Sequence, residues 1–376
     1  MNQRIYLSLA HIGGSEQRFI KEAFDTNWVV PLGPNVDAFE CSLSDYLGEG
    51  RYVVALSSGT AAIHLALILS GVQTGDEVIC QSFTFAASAN PIVYIGAKPV
   101  FVDGETDTWN MDPALLEETI RDRLHRTGKK PKAIIAVHLY GMPANMEEIA
   151  KIAGKYEIPV IEDAAEALGS ALNGRKCGVL GEFGVLSFNG NKIITTSGGG
   201  ALVCRTEEQA ERTKFFATQA RDQAPHYQHS HIGYNYRMSN ICAGIGRGQM
   251  MVLNDHVARR REIHHLYTDL LKNTPGITVM QSPNPDYDSN YWLTCILVDT
   301  KLAGKSREDI RLKMEANNIE TRPLWKPMHL QPVFADAPAY TNGTSERLFE
   351  TGLCLPSGSG LTDEEIRRVV GVIIRH

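Results

Sequence analysis

The sequence contains no apolar run long enough to cross a membrane and no strong excess of charge of one sign. Its 376 residues include 37 Lys and Arg against 43 Asp and Glu, a formal net charge of −6 at pH 7. Such a balance disfavours nucleic acid or an anionic membrane as the main partner. Spanning helices need roughly 20 apolar residues, and residues 1–10 lack the apolar core of a secretion signal. We therefore expect a cytoplasmic protein with neither a membrane nor a nucleic-acid partner.

Cysteine is sparse and irregularly spaced. The chain has seven cysteines, and no two of them are spaced as C-x-x-C. An odd number without paired spacing predicts reduced core residues, with no disulfide framework and no zinc site. His226, His229 and His231 lie together in a polar segment, but loop histidines usually bind no metal. The sequence therefore predicts no metal.

Short apolar segments alternate with helical patterns over the first half of the chain. Residues 52–56, 77–80, 99–103, 133–137 and 159–163 have the composition of strands, and each is followed by a helical pattern, a turn or both. This alternation predicts an α/β fold with a mostly parallel sheet. Ligands of such sheets bind at the carboxyl ends of the strands.

The pattern changes in the last third of the chain. Residues 239–273 have the periodicity of one long helix, and a strand is expected at 291–298. A chain of this length commonly forms two domains. We expect a large domain over residues 1–250 and a smaller α+β domain over residues 251–376.

Lys192 lies in a polar turn between two apolar segments, 183–188 and 201–204, and three glycines at 198–200 precede the second segment. Glycines are usual where the backbone adopts unusual angles or approaches a ligand closely. A lysine beside such a backbone is a candidate Schiff-base nucleophile. The alternative is an ordinary solvated turn, so the interpretation requires partners elsewhere in the chain.

Three strand ends offer such partners. Ser58, Gly59 and Thr60 stand between a strand and a helix, where they form either a phosphate site or an ordinary N-cap. Asp163 ends an apolar strand and either meets a cation, such as a protonated pyridine, or caps a turn. Phe85 either stacks on a flat heterocycle or belongs to the core. Together with the lysine, these features meet the needs of pyridoxal 5′-phosphate (PLP).

The order of these motifs resembles the DegT/DnrJ/StrS family of sugar-nucleotide aminotransferases. The resemblance spans about residues 5–370 and is carried by residues 58–61, 75–78, 82–85, 96–103, 137–141, 162–165, 187–192 and 233–238. It implies a fold-type-I PLP enzyme, similar to aspartate aminotransferase, whose large domain has a mostly parallel seven-stranded sheet. It also implies a homodimer with active sites shared at the subunit interface.

The resemblance assigns roles to the residues of the cofactor site. Lys192 resembles the lysine that binds the cofactor covalently, and Asp163 resembles the carboxylate at its pyridinium nitrogen. Phe85 matches the aromatic residue that stacks on the ring. Gly59, Thr60 and Ser187 match phosphate ligands, and Ser58 is expected there from its position between a strand and a helix.

Asn235 and Glu166 are two further residues expected near the cofactor. Asn235 resembles the residue that reaches the phosphate from the other subunit. Glu166 departs from the family pattern, because relatives usually carry Gln or His three residues after the strand-end aspartate, near the 3′-oxygen of the cofactor. A second carboxylate near Asp163 would repel it and could hold a proton.

A closer resemblance is to the C4 aminotransferases that act on UDP-4-keto-6-deoxy-N-acetylglucosamine in bacillosamine synthesis. Residues 187–200 and 322–330 carry it. Many other relatives have proline or tyrosine before the lysine and Gly-Glu-Gly-Gly after it. The resemblance implies L-glutamate as the amino donor. The candidate substrate contacts are Trp28, Arg237, Lys326 and His329.

Three alternatives stay open at this point. The substrate could be a dTDP- or GDP-linked sugar, aminated at C3 or C4. A PLP-dependent sugar dehydratase of the same fold is a second alternative, but such relatives replace the lysine with histidine, which Lys192 contradicts. A non-catalytic regulator or sensor with the PLP-enzyme fold is the third, and the chain has no basic helix-turn-helix segment to support it.

Overall fold

The computed structural model describes residues 3–374. Short strands alternate with helices over the first 200 residues, as the apolar pattern predicts. The strands of the described part are β1 (Tyr52–Leu56), β2 (Glu77–Gln81), β3 (Lys98–Val102), β4 (Ala133–Val137), β5 (Val160–Asp163), β6 (Ala171–Leu172), β7 (Arg175–Lys176), β8 (Phe183–Ser187), β9 (Gly200–Cys204), β10 (Ile277–Val279), β11 (Tyr287–Asp288), β12 (Thr294–Val298), β13 (Arg322–Pro323), β14 (Ala339–Tyr340) and β15 (Gly352–Leu355).

Helices cover both faces of the main sheet and form the outer layers of the molecule. They are α1 (Glu16–Asp25), α2 (Pro34–Leu47), α3 (Gly59–Leu69), α4 (Asn90–Tyr94), α5 (Pro113–Thr127), α6 (Met146–Tyr156), α7 (Glu207–Ala217), α8 (Asn240–Met250), α9 (Leu253–Leu271), α10 (Thr300–Ala303), α11 (Arg307–Ala316), α12 (Thr344–Thr351) and α13 (Asp363–Ile374). Because helices lie on both faces, a central strand such as β4 is buried along its whole length, as its unbroken apolar sequence requires.

The main sheet has the strand order β1-β9-β8-β5-β4-β2-β3-β14. All pairs from β8 to β14 are parallel, whereas β9 runs antiparallel to both of its neighbours. The predicted α/β class and mostly parallel sheet are confirmed. The expected number of seven strands is one too few, because the two-residue strand β14 adds to the edge beside β3.

A buried aspartate explains how the eighth strand is fixed. Asp103 follows β3 and is fully buried. Its carboxylate accepts hydrogen bonds from the backbone N–H groups of Asn342, Gly343 and Ser345, at 3.0 to 3.1 Å. These bonds hold the chain just after β14 against the end of β3. A strand of two residues gives too weak a sequence pattern to be recognised in advance.

A second, antiparallel sheet has the order β10-β12-β15-β13 and packs against α9, α11 and α13. Its core includes Ile5, whose backbone pairs with Ile319. The N-terminal segment thus contacts the C-terminal sheet, while β14 joins the main sheet. The proposed division at residue 250 stays a prediction, and its outermost residues, 1–2 and 375–376, lie outside the described part.

The expected single helix over residues 239–273 is wrong. The structure has two helices there, α8 and α9, separated at Met251 and Val252. Val252 has φ −117° and ψ 7°, which is not helical. Gln249, in the last turn of α8, is held by Glu16 and by the backbone of His11. The side-chain periodicity continues across the break, so the sequence alone does not reveal it.

All seven cysteines are free, and five of them are buried. Within residues 3–374, no helix is long and apolar enough to span a membrane.

Candidate active site

A cavity of about 250 Å³ opens at the carboxyl ends of β4, β5 and β8, beside the start of α3. Eight of the residues singled out in the sequence line it, although they come from segments more than 130 residues apart. They are Ser58, Gly59, Thr60, Phe85, Asp163, Glu166, Ser187 and Lys192. Residues 58–60, Phe85, Asp163 and Glu166 thus meet at one edge of the sheet, as their positions at strand ends predicted, and Ser187 and Lys192 join them there.

One end of the cavity is formed by the first turn of α3. Ser58 is the N-cap residue, and its Oγ accepts a hydrogen bond from Ala61 N at 3.0 Å. The N–H groups of Gly59 and Thr60 lie in the first turn, where a helix offers no internal acceptor. The two readings of this segment are thus compatible, because the N-cap leaves backbone donors and the helix dipole for an anion.

The glycine run packs against this same loop. A Cβ on Gly200 would lie 2.3 Å from Gly59 N and 2.4 Å from the carbonyl carbon of Ser58. Gly200 is therefore required because β9 passes directly beneath the first turn of α3. Gly198 differs, because a Cβ there meets nothing within 4 Å. Gly198 and Gly199 line the cavity.

Asp163 ends β5 and is held by neutral groups. Its Oδ2 accepts a hydrogen bond from Ser88 Oγ at 2.6 Å, and Oδ1 accepts one from Ala165 N at 3.2 Å. Ser88 Oγ also lies 2.7 Å from Thr84 Oγ1. Within the described residues the carboxylate has no cationic partner, although it is 5% exposed. A protonated ring nitrogen in the cavity would provide one.

Lys192 projects into the cavity from the turn after β8. Its Nζ lies 3.4 Å from Glu166 Oε1 and 4.1 Å from the ring centroid of Trp292. The lysine side chain is 14% exposed, so the amine is mostly shielded from water. Burial raises the pKa of the Glu166 carboxyl, and the charge of Lys192 opposes this shift. The turn is therefore not the ordinary solvated kind.

Aromatic rings form the remaining wall. Phe85 is 54% exposed at the cavity, and its ring lies 5.3 Å from that of Trp325. The rings of Trp325 and Tyr140 are stacked at 6.1 Å, and Tyr140 stacks in turn on Trp292. Phe85 is thus not a core residue, and its exposed face is available to a flat ligand.

Two of the predicted substrate contacts have partners outside the cavity. Arg237 Nη1 lies 2.6 Å from Glu40 Oε1 and donates to Ala55 O at 3.0 Å. Both side chains of this ion pair are more than nine-tenths buried. His329 lies between Ser82 Oγ at 2.7 Å and Glu346 Oε1 at 3.1 Å. In this structure, neither residue is a free clamp for a nucleotide diphosphate.

The other two predicted substrate contacts, Trp28 and Lys326, and the predicted cofactor residue Asn235 also lie outside the cavity lining. Trp28, Lys326 and Asn235 are exposed. Asn235 pairs with Thr218 through its backbone, at the end of the polar segment 221–237. Its exposed side chain is compatible with a contact to a second subunit, which stays a prediction.

Comparisons with known proteins agree with this geometry. The model of the DegT/DnrJ/EryC1/StrS aminotransferase family matches residues 10–374. The chain belongs to this family. It is 50% identical to the "Putative pyridoxal phosphate-dependent aminotransferase EpsN" of Bacillus subtilis, and the match covers 100% of this chain and 96% of that relative. It is 36% identical to GDP-perosamine synthase of Escherichia coli O157:H7, over 94% of this chain and 93% of that one.

Solved structures of the family have the same fold. The PLP form of the "Putative sugar aminotransferase Spr1654" from Streptococcus pneumoniae superimposes with a TM-score of 0.90 at 26% identity, over 99% of this chain and 98% of that one. The chain is therefore a PLP-dependent sugar aminotransferase. The donors at the start of α3, the carboxylate of Asp163 and the shielded amine of Lys192 fit this cofactor.

Several residues that line or support the cavity of this DegT-family enzyme were missed by sequence reasoning. Ser88 and Thr84 orient Asp163, and they lie in the segment that suggested Phe85. Trp325 lies within the 322–330 motif, in which Lys326 and His329 were predicted as substrate contacts and Trp325 was not. Trp292 stands 100 residues beyond Lys192 and carries no local signal.

Proposed function

We propose that the enzyme transfers an amino group from L-glutamate to C4 of a UDP-linked 4-keto-6-deoxy-N-acetylhexosamine. The observation that carries the amino-transfer chemistry is the convergence of Lys192 Nζ, the Asp163 carboxylate and the α3 N-terminus on one cavity. The choice of sugar rests on the resemblance of residues 187–200 and 322–330 to C4 aminotransferases of bacillosamine synthesis. The product is the 4-amino sugar nucleotide, for bacterial glycan or glycoprotein synthesis.

The cavity residues would have separate roles in this reaction. PLP, when bound, supplies an aldehyde that accepts the amino group and a ring that accepts negative charge. Lys192 Nζ would hold the aldehyde end of the cofactor and, once free, would move a proton to or from the donor's α-carbon. Asp163 would pair with the protonated ring nitrogen, and Ser88 keeps that carboxylate oriented. Phe85, beside Trp325, would cover one face of the ring.

A GDP-linked keto sugar is the second candidate. It is favoured by the GDP-perosamine synthase of E. coli O157:H7, which is 36% identical over nearly the whole chain and is named for a GDP-linked product. The nucleotide is a part of the substrate that does not react, so the two candidates share the chemistry derived above. They differ in the groups that contact the base and the sugar.

We further propose that the enzyme works as a homodimer with shared active sites. Lys192 is the one cationic side chain among the described residues that line the cavity, whereas PLP phosphate and a nucleotide diphosphate both favour cationic or polar partners. The exposed Asn235 in segment 221–237 is our candidate from the second subunit. Mixing Lys192→Ala and Asn235→Ala chains should restore activity through heterodimers that have one complete site. Mixtures as inactive as either parent would contradict a shared site.

The substrate is tested by incubating the purified enzyme with PLP, L-glutamate and a panel of UDP-, GDP- and dTDP-linked keto sugars. Mass spectrometry should detect the 4-amino product from the UDP-linked N-acetyl sugar, together with 2-oxoglutarate. Amination of the GDP-linked sugar instead would support the second candidate. Deoxygenation without amination would contradict amino transfer altogether.

The role of Lys192 has a separate test. Lys192→Ala protein should lose the visible absorbance of lysine-bound cofactor and all turnover, because no other amine lines the described cavity. Lys129→Ala is a suitable control, since Lys129 is exposed and lies outside the lining. Retention of both signals by Lys192→Ala would exclude the assignment.

A further inference from the structure

Glu166 is turned toward the active-site lysine. Its side chain lines the cavity and is 6% exposed, and Oε1 lies 3.4 Å from Lys192 Nζ. The other oxygen, Oε2, accepts a hydrogen bond from Tyr140 N at 2.7 Å. Because each oxygen has a separate partner, the carboxylate is held in one orientation, with one oxygen facing the amine.

The hydrogen bond from Tyr140 depends on an unusual backbone conformation. Tyr140 has φ 54° and ψ 17°, which is the left-handed region that bulky residues rarely occupy. This conformation directs its N–H toward Glu166, while its buried hydroxyl accepts a hydrogen bond from Trp325 N at 2.9 Å. Strain of this kind persists where the surrounding structure enforces it, and it is common at functional sites.

A single asparagine ties Glu166 to the other neighbour of the amine. Asn290 Nδ2 donates to the backbone oxygen of Glu166 at 3.0 Å, and Asn290 Oδ1 accepts from Trp292 N at 2.8 Å. The indole ring of Trp292 lies 4.1 Å from Lys192 Nζ. The amine therefore lies between a carboxylate and an aromatic face, both of which attract a cation.

The charged groups around Glu166 suit it to exchange a proton. Burial raises the pKa of its carboxyl, the nearby Asp163 acts in the same direction, and Lys192 acts in the opposite one. A carboxyl in this environment takes up a proton more readily than an exposed glutamate does. Lys192 lies within reach of that proton, and the side chains of both residues are largely shielded from water.

We propose that Glu166 is the proton partner of Lys192, and hence a further catalytic residue of the aminotransferase. The Glu166 carboxylate takes a proton from the Nζ ammonium, which leaves a neutral amine and a carboxylic acid, and later returns it. One N–H bond breaks and one O–H bond forms, so the pair stays neutral overall. The proposal rests on the proposed function in one respect, the role of Lys192 as the cofactor-binding lysine, and it is independent of the sugar.

The first test compares two forms of the holoenzyme, reconstituted with PLP or with pyridoxamine phosphate. Lys192 is bound to the cofactor in the first form and free in the second. The infrared difference spectrum should contain a C=O stretching band of a protonated carboxylic acid that changes between the forms. This band should be absent from Glu166→Gln and present in Glu148→Gln, which removes an exposed carboxylate of α6. Persistence of the band in Glu166→Gln would overturn the proposal.

A pH titration of the visible absorbance of the PLP form gives the second test. The midpoint should fall by about 1–3 pH units in Glu166→Gln, because an opposite charge within 4–6 Å favours the protonated nitrogen by that amount. A merely structural Glu166 predicts no change, since glutamine can still accept the hydrogen bond from Tyr140 N. An unmoved midpoint would therefore also overturn the proposal. Failure of Lys192→Ala to lose the absorbance would refute the proposed function instead.

Discussion

Replacing Gly200 with alanine should disturb the cofactor site, although no side chain that lines the site is changed. The new Cβ would lie 2.3 Å from Gly59 N, 2.4 Å from Ser58 C and 2.6 Å from Ser58 O. These are backbone atoms, so no side-chain rotation can relieve the contact. Either β9 or the first turn of α3 must move by roughly 1 Å, and overpacking of this kind costs about 1–3 kcal/mol of stability.

The same displacement should weaken cofactor binding. The N–H groups of Gly59 and Thr60 are our candidate phosphate donors, and a hydrogen bond to a charged group contributes about 1.5–3 kcal/mol. Loss of one such bond corresponds to a roughly 10- to 100-fold higher Kd for PLP. The assays are urea denaturation of the apoprotein and a PLP titration followed by visible absorbance.

Gly190→Ala is the control, because a Cβ there would also meet nothing within 4 Å and Gly190 does not line the cavity. This variant should retain the parent's PLP affinity and its free energy of unfolding to within about 0.5 kcal/mol. If Gly200→Ala behaved like Gly190→Ala in both assays, the reason given for Gly200 would be refuted. A loss confined to stability would refute the link between β9 and the phosphate donors.

Two further predictions concern residues away from the cavity. Arg237→Met should lower the free energy of unfolding by at most about 3 kcal/mol, because the buried Glu40 carboxylate then keeps only Lys214, half-exposed and 3.4 Å away, as a cationic partner. The Glu40→Gln/Arg237→Met double variant should recover part of this loss, whereas a raised KM with unchanged stability would support a substrate clamp. Burial lowers the pKa of His264 to about 4 from an ordinary value of 6.5. Between these pH values the unfolded chain binds a proton at His264 and the native state does not, so the free energy of unfolding should fall by about 2 kcal/mol from pH 7 to pH 5. Urea denaturation of His264→Phe should show a weaker dependence of stability on pH.

The part of the site that local sequence predicted correctly lies at strand ends. Ser58, Asp163 and Ser187 each follow or end an apolar segment, and a parallel sheet brings such ends to one edge. Their convergence therefore needs no knowledge of distant contacts. The surroundings of Lys192 are different, because Trp292 meets Lys192, and the buried Tyr140 meets Glu166, only through loop geometry. That geometry includes a left-handed tyrosine, which no composition pattern predicts.

Arg237 illustrates a second limit of sequence reasoning. An arginine in a family motif suggests an anionic ligand, yet a buried carboxylate satisfies it equally well. Glu40 lies almost 200 residues away in the sequence, and its Oε1 accepts hydrogen bonds from both Arg237 Nη1 and Ala55 N. The motif thus connects α2 to β1, the strand that leads into Ser58. The Arg237–Glu40 pair would affect the cofactor through the position of β1. We therefore expect the loss of this pair to lower the free energy of unfolding before it changes substrate binding.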